Sequence, residues 1–313
     1  MADSTQDFLE RLLKNVESVV LGKHEVVEMM LVALLSDEHV LLEDVPGVGK
    51  TLAAKAVSKS IDGQFSRIQF TPDLLPSDIV GSSIYNASSG TFSFSAGPIF
   101  ANVVLADEIN RAPPRTQSAL LEAMSEGQAS IDGKTYPMPD PFLVIATQNP
   151  FEFEGTYLLP ESQLDRFLIR IEVGYPSREA ERDVLTSHNL GEPVDQLKSV
   201  VSLSDVRSAQ QSVRKVQFEE SVLDYMQDII EATRKSNELQ VGVSTRGALS
   251  YYRACQSLAT VKNRKFVTPD DVKSLAIPVI AHRVLPKGFA AGSDRKLVEA
   301  TVKKMISAVK VPV

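Results

Sequence analysis

The segment LLEDVPGVGKT, residues 41–51, decides the fold. It joins the short apolar run HVLLE to the helical pattern KTLAAKAVSKSI, so the sequence predicts a strand, a glycine-rich loop and a helix in that order. Such a loop presents backbone N–H groups to phosphate oxygens. We expect Lys50 to reach the β- and γ-phosphates and Thr51 to ligate Mg²⁺. The context favours this interpretation over a plain turn.

One residue departs from the full phosphate-loop pattern, because Asp44 stands where the first glycine is expected. The tight wrap around phosphate would then fall to the segment from Gly47 through Thr51. If position 44 needs a positive φ, aspartate tolerates it better than most other residues. We expect the carboxylate of Asp44 to point away from the phosphates.

The composition is that of an ordinary globular protein: 43% hydrophobic and 23% charged residues in a chain of 313, with a net charge of −7. The acidic balance and the lack of a basic block disfavour broad capture of nucleic acid. A single cysteine, Cys255, rules out an intrachain disulfide. The N-terminus lacks a signal-peptide pattern and the apolar runs are too short to span a bilayer, so we expect a soluble cytoplasmic protein.

Five short apolar runs recur with helical patterns between them, which predicts an α/β fold with a largely parallel five-stranded sheet covered by helices on both faces. The runs are HVLLE, QFSRIQF, NVVLADE, PFLVIATQN and FLIRIEV. Residues 81–98 and 127–139 alternate polar and β-prone residues and predict two hairpin inserts. From about residue 177 the pattern is helical. We therefore predict a nucleotide-binding core over residues 1–176 and an all-helical lid domain over 177–313.

Polar residues end two of the predicted strands. The run NVVLADE ends in Asp107 and Glu108, which could be a solvated strand end. After a phosphate loop, such a pair is more often a magnesium aspartate and a glutamate that polarises the attacking water. Asn149 closes the next strand; by itself it could simply begin a turn, but beside these acids its amide could help position the water.

Three arginines are weaker candidates. Arg166 lies in LPESQLDRFLIR and Arg246 in GVSTRGAL, at the predicted start of a lid helix. A surface arginine usually has no special role, so each would be unremarkable alone. Arg111 follows the acid pair directly; it could face a subunit boundary or form an ion pair with a nearby acid, and the sequence leaves both open.

Taken together, these motifs resemble the AAA+ ATPases, and most closely the MoxR family. The similarity runs from about residue 20 to residue 282. The stretches that carry it are LEDVPGVGKT, FTPDLLPSDIVG, GPIFANVVLADEINRAPPRTQSALLEAMSEGQ, PFLVIATQNPFEFEGTYLLPESQLDRFL and STRGAL. The two hairpins look like the helix-2 insert and the pre-sensor-1 hairpin of that family.

The resemblance implies a role for each matching residue. Asn149 matches sensor 1, Arg246 matches sensor 2, and Arg166 matches an arginine finger that acts on the neighbouring subunit's nucleotide. Lys23 departs from the family, which often has glutamine there. The other implied positions are the Walker A and nucleotide-binding residues Gly47, Val48, Gly49, Lys50, Thr51 and Leu52, the Walker B pair Asp107 and Glu108, and the adenine-side residues Val20 and Leu21.

The resemblance also implies a function. Members of the family form ring hexamers and are thought to be chaperone-like ATPases that use ATP and Mg²⁺ and act with partners containing von Willebrand factor A domains. ATP binding would close the lid through Arg246 and engage Arg166 of a neighbour. Three alternatives are a magnesium chelatase-like motor, a nucleic-acid motor, which the acidic charge disfavours, and a nucleotide-bound scaffold, which would need neither Glu108 nor Arg166.

Overall fold

A five-stranded parallel sheet forms the centre of the computed structural model, which describes residues 2–43, 47–149, 155–187, 192–288 and 295–312. Asp44 lies outside the described residues. The strand order is β2-β5-β8-β1-β9, and all four pairings are parallel. This confirms the predicted sheet and all five of its strands. The strands are β1 Val40–Glu43, β2 Phe65–Gln69, β5 Val103–Asp107, β8 Leu143–Gln148 and β9 Ile169–Ile171.

Helices cover both faces of this sheet and continue into the C-terminal region. Two of them are single short turns, α4 and α6. The helices are α1 Ala2–Glu17, α2 His24–Ser36, α3 Lys50–Ser60, α4 Pro76–Val80, α5 Pro114–Glu126, α6 Glu161–Leu164, α7 Arg178–Ser187, α8 Leu203–Val213, α9 Glu220–Lys235, α10 Thr245–Val261, α11 Pro269–Ile280 and α12 Arg295–Ala308.

The side-chain alternation of the central strands explains why the sheet is buried on both faces. Successive residues of a strand point to opposite faces. Val40 and Leu42 of β1 accordingly join a cluster with the N-terminal and C-terminal helices, while Leu41 joins a second cluster around α5. Every residue of β1 and β8 is buried. An apolar run without alternation is what such a two-sided burial requires.

Both predicted hairpins are present on the α5 side of the sheet. They are β3 Gly81–Asn86 with β4 Thr91–Ala96, and β6 Gln128–Ile131 with β7 Lys134–Pro137. Asp132 and Gly133 both have positive φ angles, 51° and 77°, as a type I′ turn demands. The hairpins contact each other through Phe94 and Tyr136, whose rings stack with centroids 4.0 Å apart.

The C-terminal region is helical apart from one short ladder that the sequence pattern did not predict. Strands β10 Leu239–Val241 and β11 Leu285–Pro286 pair in antiparallel fashion. One hydrophobic cluster contains residues from α2, the sheet and the C-terminal helices, including Leu31, Leu42 and Tyr251. Because this cluster contains residues from both sides of residue 176, the structure does not separate two domains there, and the boundary stays a prediction. Across the described ranges, no helix has the length and apolarity needed to cross a membrane.

His39, at the entry to β1, shows how the sheet is fastened to α5. Its Nδ1 accepts a hydrogen bond from Val144 N at 3.2 Å, so its Nε2 carries the proton and donates to Met124 O at 3.1 Å. The ring also packs edge-on against Phe142. Burial of the imidazole lowers the pKa of His39 to about 4.

The buried imidazole predicts a loss of stability in mild acid. The unfolded chain takes up this proton near pH 6.5, roughly the free-histidine value, whereas the folded chain does so only near pH 4. Stability therefore falls as the pH drops through this window, by up to about 3 kcal/mol from His39. Urea unfolding at pH 7 and pH 5 should show a smaller pH dependence in His39→Asn than in the wild type. Equal pH dependence in the two proteins would contradict the assignment.

Candidate functional site

A cleft of about 570 Å³ opens at the carboxyl end of the sheet, a volume within the range of small-molecule sites. The carboxyl ends of parallel strands meet at one edge, so the loop after β1 and the ends of β2, β5 and β8 all contribute to it. Its lining residues are Gly47, Gly49, Lys50, Thr51, Leu52, Lys55, Arg67, Gln69, Asp107, Glu108, Asn149, Glu192 and Val194.

The loop before α3 exposes the helix N-terminus to this cleft. Gly47 and Gly49 have φ angles of 87° and 92°, a region that residues with a side chain rarely adopt. Gly49 is the N-cap of α3, and as a glycine it has no side chain with which to cap the first turn. The N-terminus of α3 therefore faces the cleft through Gly49, Lys50 and Thr51, and a helix N-terminus attracts anions.

The acid pair is held in place by the neighbouring strand β8. Thr147 is fully buried, and its hydroxyl donates to Asp107 Oδ1 at 2.6 Å. The oxygen of this hydroxyl in turn accepts the backbone N–H of Glu108 at 2.8 Å. One hydroxyl thus fixes both the carboxylate of the first acid and the backbone of the second.

The carboxylate of Glu108 is oriented by two further side chains. Glu108 has a φ of 58° and a ψ of 49°, so its backbone turns sharply at the end of β5. Its Oε2 accepts hydrogen bonds from Gln69 Nε2 at 2.7 Å and from Arg111 Nη1 at 2.9 Å. Of the two interpretations left open for Arg111, the structure therefore contains the ion pair with a nearby acid.

Arg67 links the ends of β2 and β5. Its guanidinium donates to Asp107 Oδ2 at 2.6 Å and to Gln69 Oε1 at 2.9 Å. The parallel register sets Gln69 opposite Asp107, which is why side chains from β2 reach both acids. Asp107 and Glu108 thus each have a cationic partner, Arg67 and Arg111 respectively.

Sequence reasoning missed Thr147, Arg67 and Gln69. A weak signal for the last two existed, since they alternate with apolar residues in QFSRIQF and so share one face of a strand. What the pattern lacked was the strand order that places β2 beside β5. Thr147 sits in the otherwise apolar run PFLVIATQN, two residues before Asn149, where a lone threonine carries little signal.

The two residues predicted to lie beside adenine, Val20 and Leu21, are not among the residues that line the cleft. Val20 is buried in the large hydrophobic cluster. Val48 packs at the edge of the same cluster. Lys23 has a structural contact, since its Nζ donates to the carbonyls of Val173 and Gly174 at 2.9 and 2.8 Å.

The two remaining arginines also lie outside the cleft lining. Arg166 follows α6, and its Nη1 donates to Leu121 O at 2.7 Å and Ser125 Oγ at 2.6 Å, both on α5. Its buried Nε has no hydrogen-bond acceptor among the residues that the structure describes. Arg246 is exposed in the first turn of α10.

The donor set of the cleft fits a hard divalent cation bound together with phosphate. Thr51 and Asp107 offer a hydroxyl and a carboxylate, the oxygen ligands that Mg²⁺ accepts beside phosphate groups. No cluster of three or more histidine, cysteine, aspartate or glutamate side chains suited to a metal occurs in the described part of the chain. A cation bound by few protein ligands, with water and phosphate completing its shell, suits this arrangement.

Comparison with known proteins connects this cleft with a family. Residues 39–169 match the family described as ATPase family associated with various cellular activities (AAA), and residues 231–304 match the AAA lid domain. The chain is 44% identical to "Chaperone MoxR1" of Mycobacterium tuberculosis over 97% of its length and 82% of that protein.

Two further proteins are similar over nearly the whole chain. YeaC, an uncharacterized protein of Bacillus subtilis, is 47% identical over 97% of this chain and 95% of its own length. A crystal structure of a protein from Cytophaga hutchinsonii, provisionally named an ATPase, superposes with a TM-score of 0.90 at 36% identity and covers 100% of this chain and 97% of that one.

The bridging hydroxyl of Thr147 gives a test of the acid-pair geometry. Thr147→Val keeps the shape but leaves Asp107 Oδ1 and the Glu108 N–H without this partner, at about 1–3 kcal/mol for each buried group left unsatisfied. Thr147→Ser keeps the hydroxyl and loses one methyl group, at about 0.8 kcal/mol. Urea unfolding should show the larger loss of stability for valine. A serine variant that loses as much as the valine variant would contradict the bridging role.

Proposed function

Because this chain belongs to the MoxR family of AAA+ ATPases, we propose that it binds ATP and Mg²⁺ in the cleft and hydrolyses the γ-phosphate bond. The observation that carries this proposal is the meeting of a helix N-terminus with a fixed carboxylate pair in one cleft. Lys50 and the N–H groups of Gly49 through Leu52 would hold the phosphates. Thr51 and Asp107 would bind Mg²⁺, which supplies charge neutralisation on the phosphate oxygens.

Glu108 has the geometry of a group that polarises water. Its backbone is fixed by Thr147, and its carboxylate is aimed by Gln69 and Arg111. A carboxylate held at hydrogen-bonding distance from a water can accept its proton as the water attacks. Asn149, at the end of β8 and in the same cleft, is placed to orient that water through its amide.

Arg166 and Arg246 are proposed to act on the nucleotide of a neighbouring subunit. Both lie outside their own cleft's lining, and they share one region of the surface, since Ser244, two residues before Arg246, bonds to Asp165, next to Arg166. This placement supports a different use of Arg246 from closing the lid over its own nucleotide.

The proposed biological role is remodelling of a protein partner by a ring, with six subunits as the expected number. The relative named as a chaperone supports a chaperone-like activity. A partner with a von Willebrand factor A domain rests on the family resemblance alone. The β3–β4 hairpin carries exposed aromatic side chains, Tyr85 and Phe92, which suit contact with a protein. In this proposal residues 177–313 act as the lid on the core.

The role of Glu108 predicts a separation of binding from hydrolysis. Glu108→Gln keeps the hydrogen bond from Gln69 within reach but removes the proton acceptor, so ATP turnover should fall by about 10²–10⁴-fold. The dissociation constant for a fluorescent ATP analogue should change little. Glu122→Gln, on an exposed position of α5, is the matched control and should keep full turnover. Unchanged hydrolysis in Glu108→Gln would refute the role and leave the scaffold alternative.

A second prediction follows from the proposed action of Arg166 on the nucleotide of a neighbouring subunit. An arginine supplied by a neighbour can raise turnover by about 10³–10⁵-fold, so a dissociated subunit should hydrolyse ATP very slowly. Turnover per subunit should rise steeply with protein concentration through the assembly range followed by light scattering. Arg166→Ala should stay low at every concentration, whereas Lys235→Ala, on the exposed side of α9, should follow the wild type. A wild-type rate per subunit that is constant on dilution would exclude a finger acting between subunits.

A further inference from the structure

Asp165 lies directly before Arg166, and its carboxylate joins the two segments that carry the candidate arginines. Oδ1 accepts from Arg283 Nε at 3.0 Å, and Oδ2 accepts from Ser244 Oγ at 3.1 Å. Ser244 is the N-cap of α10, two residues before Arg246. We call the side chains of Asp165, Ser244 and Arg283 the arginine junction.

Arg283 fixes the backbone on the other side of Arg166. Its Nη2 donates to Phe167 O at 2.7 Å and its Nη1 to Leu168 O at 3.0 Å. With the contact to Asp165, one guanidinium therefore bonds to residues on both sides of Arg166. The Arg283 side chain is only 1% exposed, so water cannot replace these partners and the segment is firmly held.

The first turn of α10 packs against the same guanidinium group. A Cβ atom at Gly247 would lie 2.8 Å from Cδ of Arg283, so only glycine allows this approach. Ser244 Oγ also accepts the N–H of Gly247 at 2.9 Å, which holds the turn that contains Arg246. Both candidate arginines thus stand on backbone that contacts Arg283 or Asp165.

The arginine junction extends from the interior of the protein to its surface. Arg283 is its buried end, while Ser244 and Arg246 are exposed and Asp165 is partly exposed. An ion pair that only stabilised the fold could be replaced by well-packed apolar residues at little cost. Here the same side chains also contact the segments that carry Arg166 and Arg246.

We propose that the arginine junction fixes Arg166 and Arg246 relative to each other, so that one subunit presents both to the nucleotide of its neighbour. Asp165, Ser244 and Arg283 are positioning residues in this scheme. The inference rests on the proposed function, in which the two arginines act between subunits. Its consequence is that damage to the junction impairs the neighbour's site and spares the subunit's own.

Ser244 is the residue at which the junction can be broken with the least damage to the fold. Removing Arg283 or Asp165 would leave a buried partner unpaired and could unfold the chain. Ser244→Asp keeps a good N-cap acceptor but cannot donate to Asp165 and faces it with like charge. Ser244→Thr keeps both the cap and the hydroxyl. Turnover should fall about 10–100-fold in the aspartate variant, as for other small misplacements of catalytic groups, and should be restored in the threonine variant.

Mixed assemblies separate the subunit that presents the arginines from the subunit that hydrolyses. Glu108→Gln chains present an intact junction and cannot hydrolyse. When Ser244→Asp chains are mixed with a molar excess of Glu108→Gln chains, each Ser244→Asp subunit faces an intact junction, so its turnover should rise. Its rate should equal that of Arg166→Ala subunits mixed with the same excess of Glu108→Gln chains. In the reciprocal mixture, Arg166→Ala subunits in an excess of Ser244→Asp chains should stay at the low rate, because only damaged junctions face them.

Each failure points to a different assumption. If Arg166→Ala is not restored by Glu108→Gln chains, the finger does not act between subunits, and the proposed assembly and the junction's role both fall. If it is restored but Ser244→Asp is not, the junction serves its own nucleotide site and only this inference is overturned. If Arg166→Ala subunits hydrolyse ATP in the excess of Ser244→Asp chains, the role of the junction is overturned and the proposed function stands. A Ser244→Asp chain that no longer joins the wild-type assembly in light scattering would also contradict a purely positioning role.

Discussion

Parallel pairing of the five strands is the constraint on which the candidate site depends. It brings the carboxyl ends of β1, β2, β5 and β8 to one edge, so the glycine-rich loop before α3, two acids and their partners meet there although they are far apart in the chain. The register matters as much as the order. Gln69 lies opposite Asp107, and a slip of one residue would turn Arg67 and Gln69 away from the acids.

The cleft and the arginine junction use buried polar groups in the same way. In the cleft, the hydroxyl of Thr147 fixes Asp107 and Glu108 together. In the junction, the guanidinium of Arg283 fixes the segments on both sides of Arg166 and the start of α10. In each case a buried, hydrogen-bonded group holds segments that carry candidate functional side chains, and loss of part of this pairing would leave those segments less well fixed.

The sequence predicted the elements that are encoded locally. Apolar runs located all five sheet strands, and Asp132-Gly133 located a hairpin turn. It could not supply contacts that arise only when distant segments meet. Thr147 and Gln69 are ordinary polar residues until strand order sets them beside the acids, and Arg283 gains its partners only through the packing of the lid on α6. The β10–β11 ladder was missed because two or three residues carry no periodicity.

Helix α5 brings three parts of the molecule into one rigid element. It begins six residues after Glu108, and the carbonyl of Leu121 and the hydroxyl of Ser125 hold Arg166. Its C-terminal end runs through Gly127 directly into β6, whose hairpin stacks on the other hairpin through Tyr136 and Phe94. Its 13 residues form one uninterrupted helix that is about 20 Å long, at 1.5 Å per residue. Helix α5 therefore links the segment after Glu108, the contacts of Arg166 and the β6–β7 hairpin. In the proposed function, a change in the contacts of Arg166 with α5 would act on an element that ends in the hairpins.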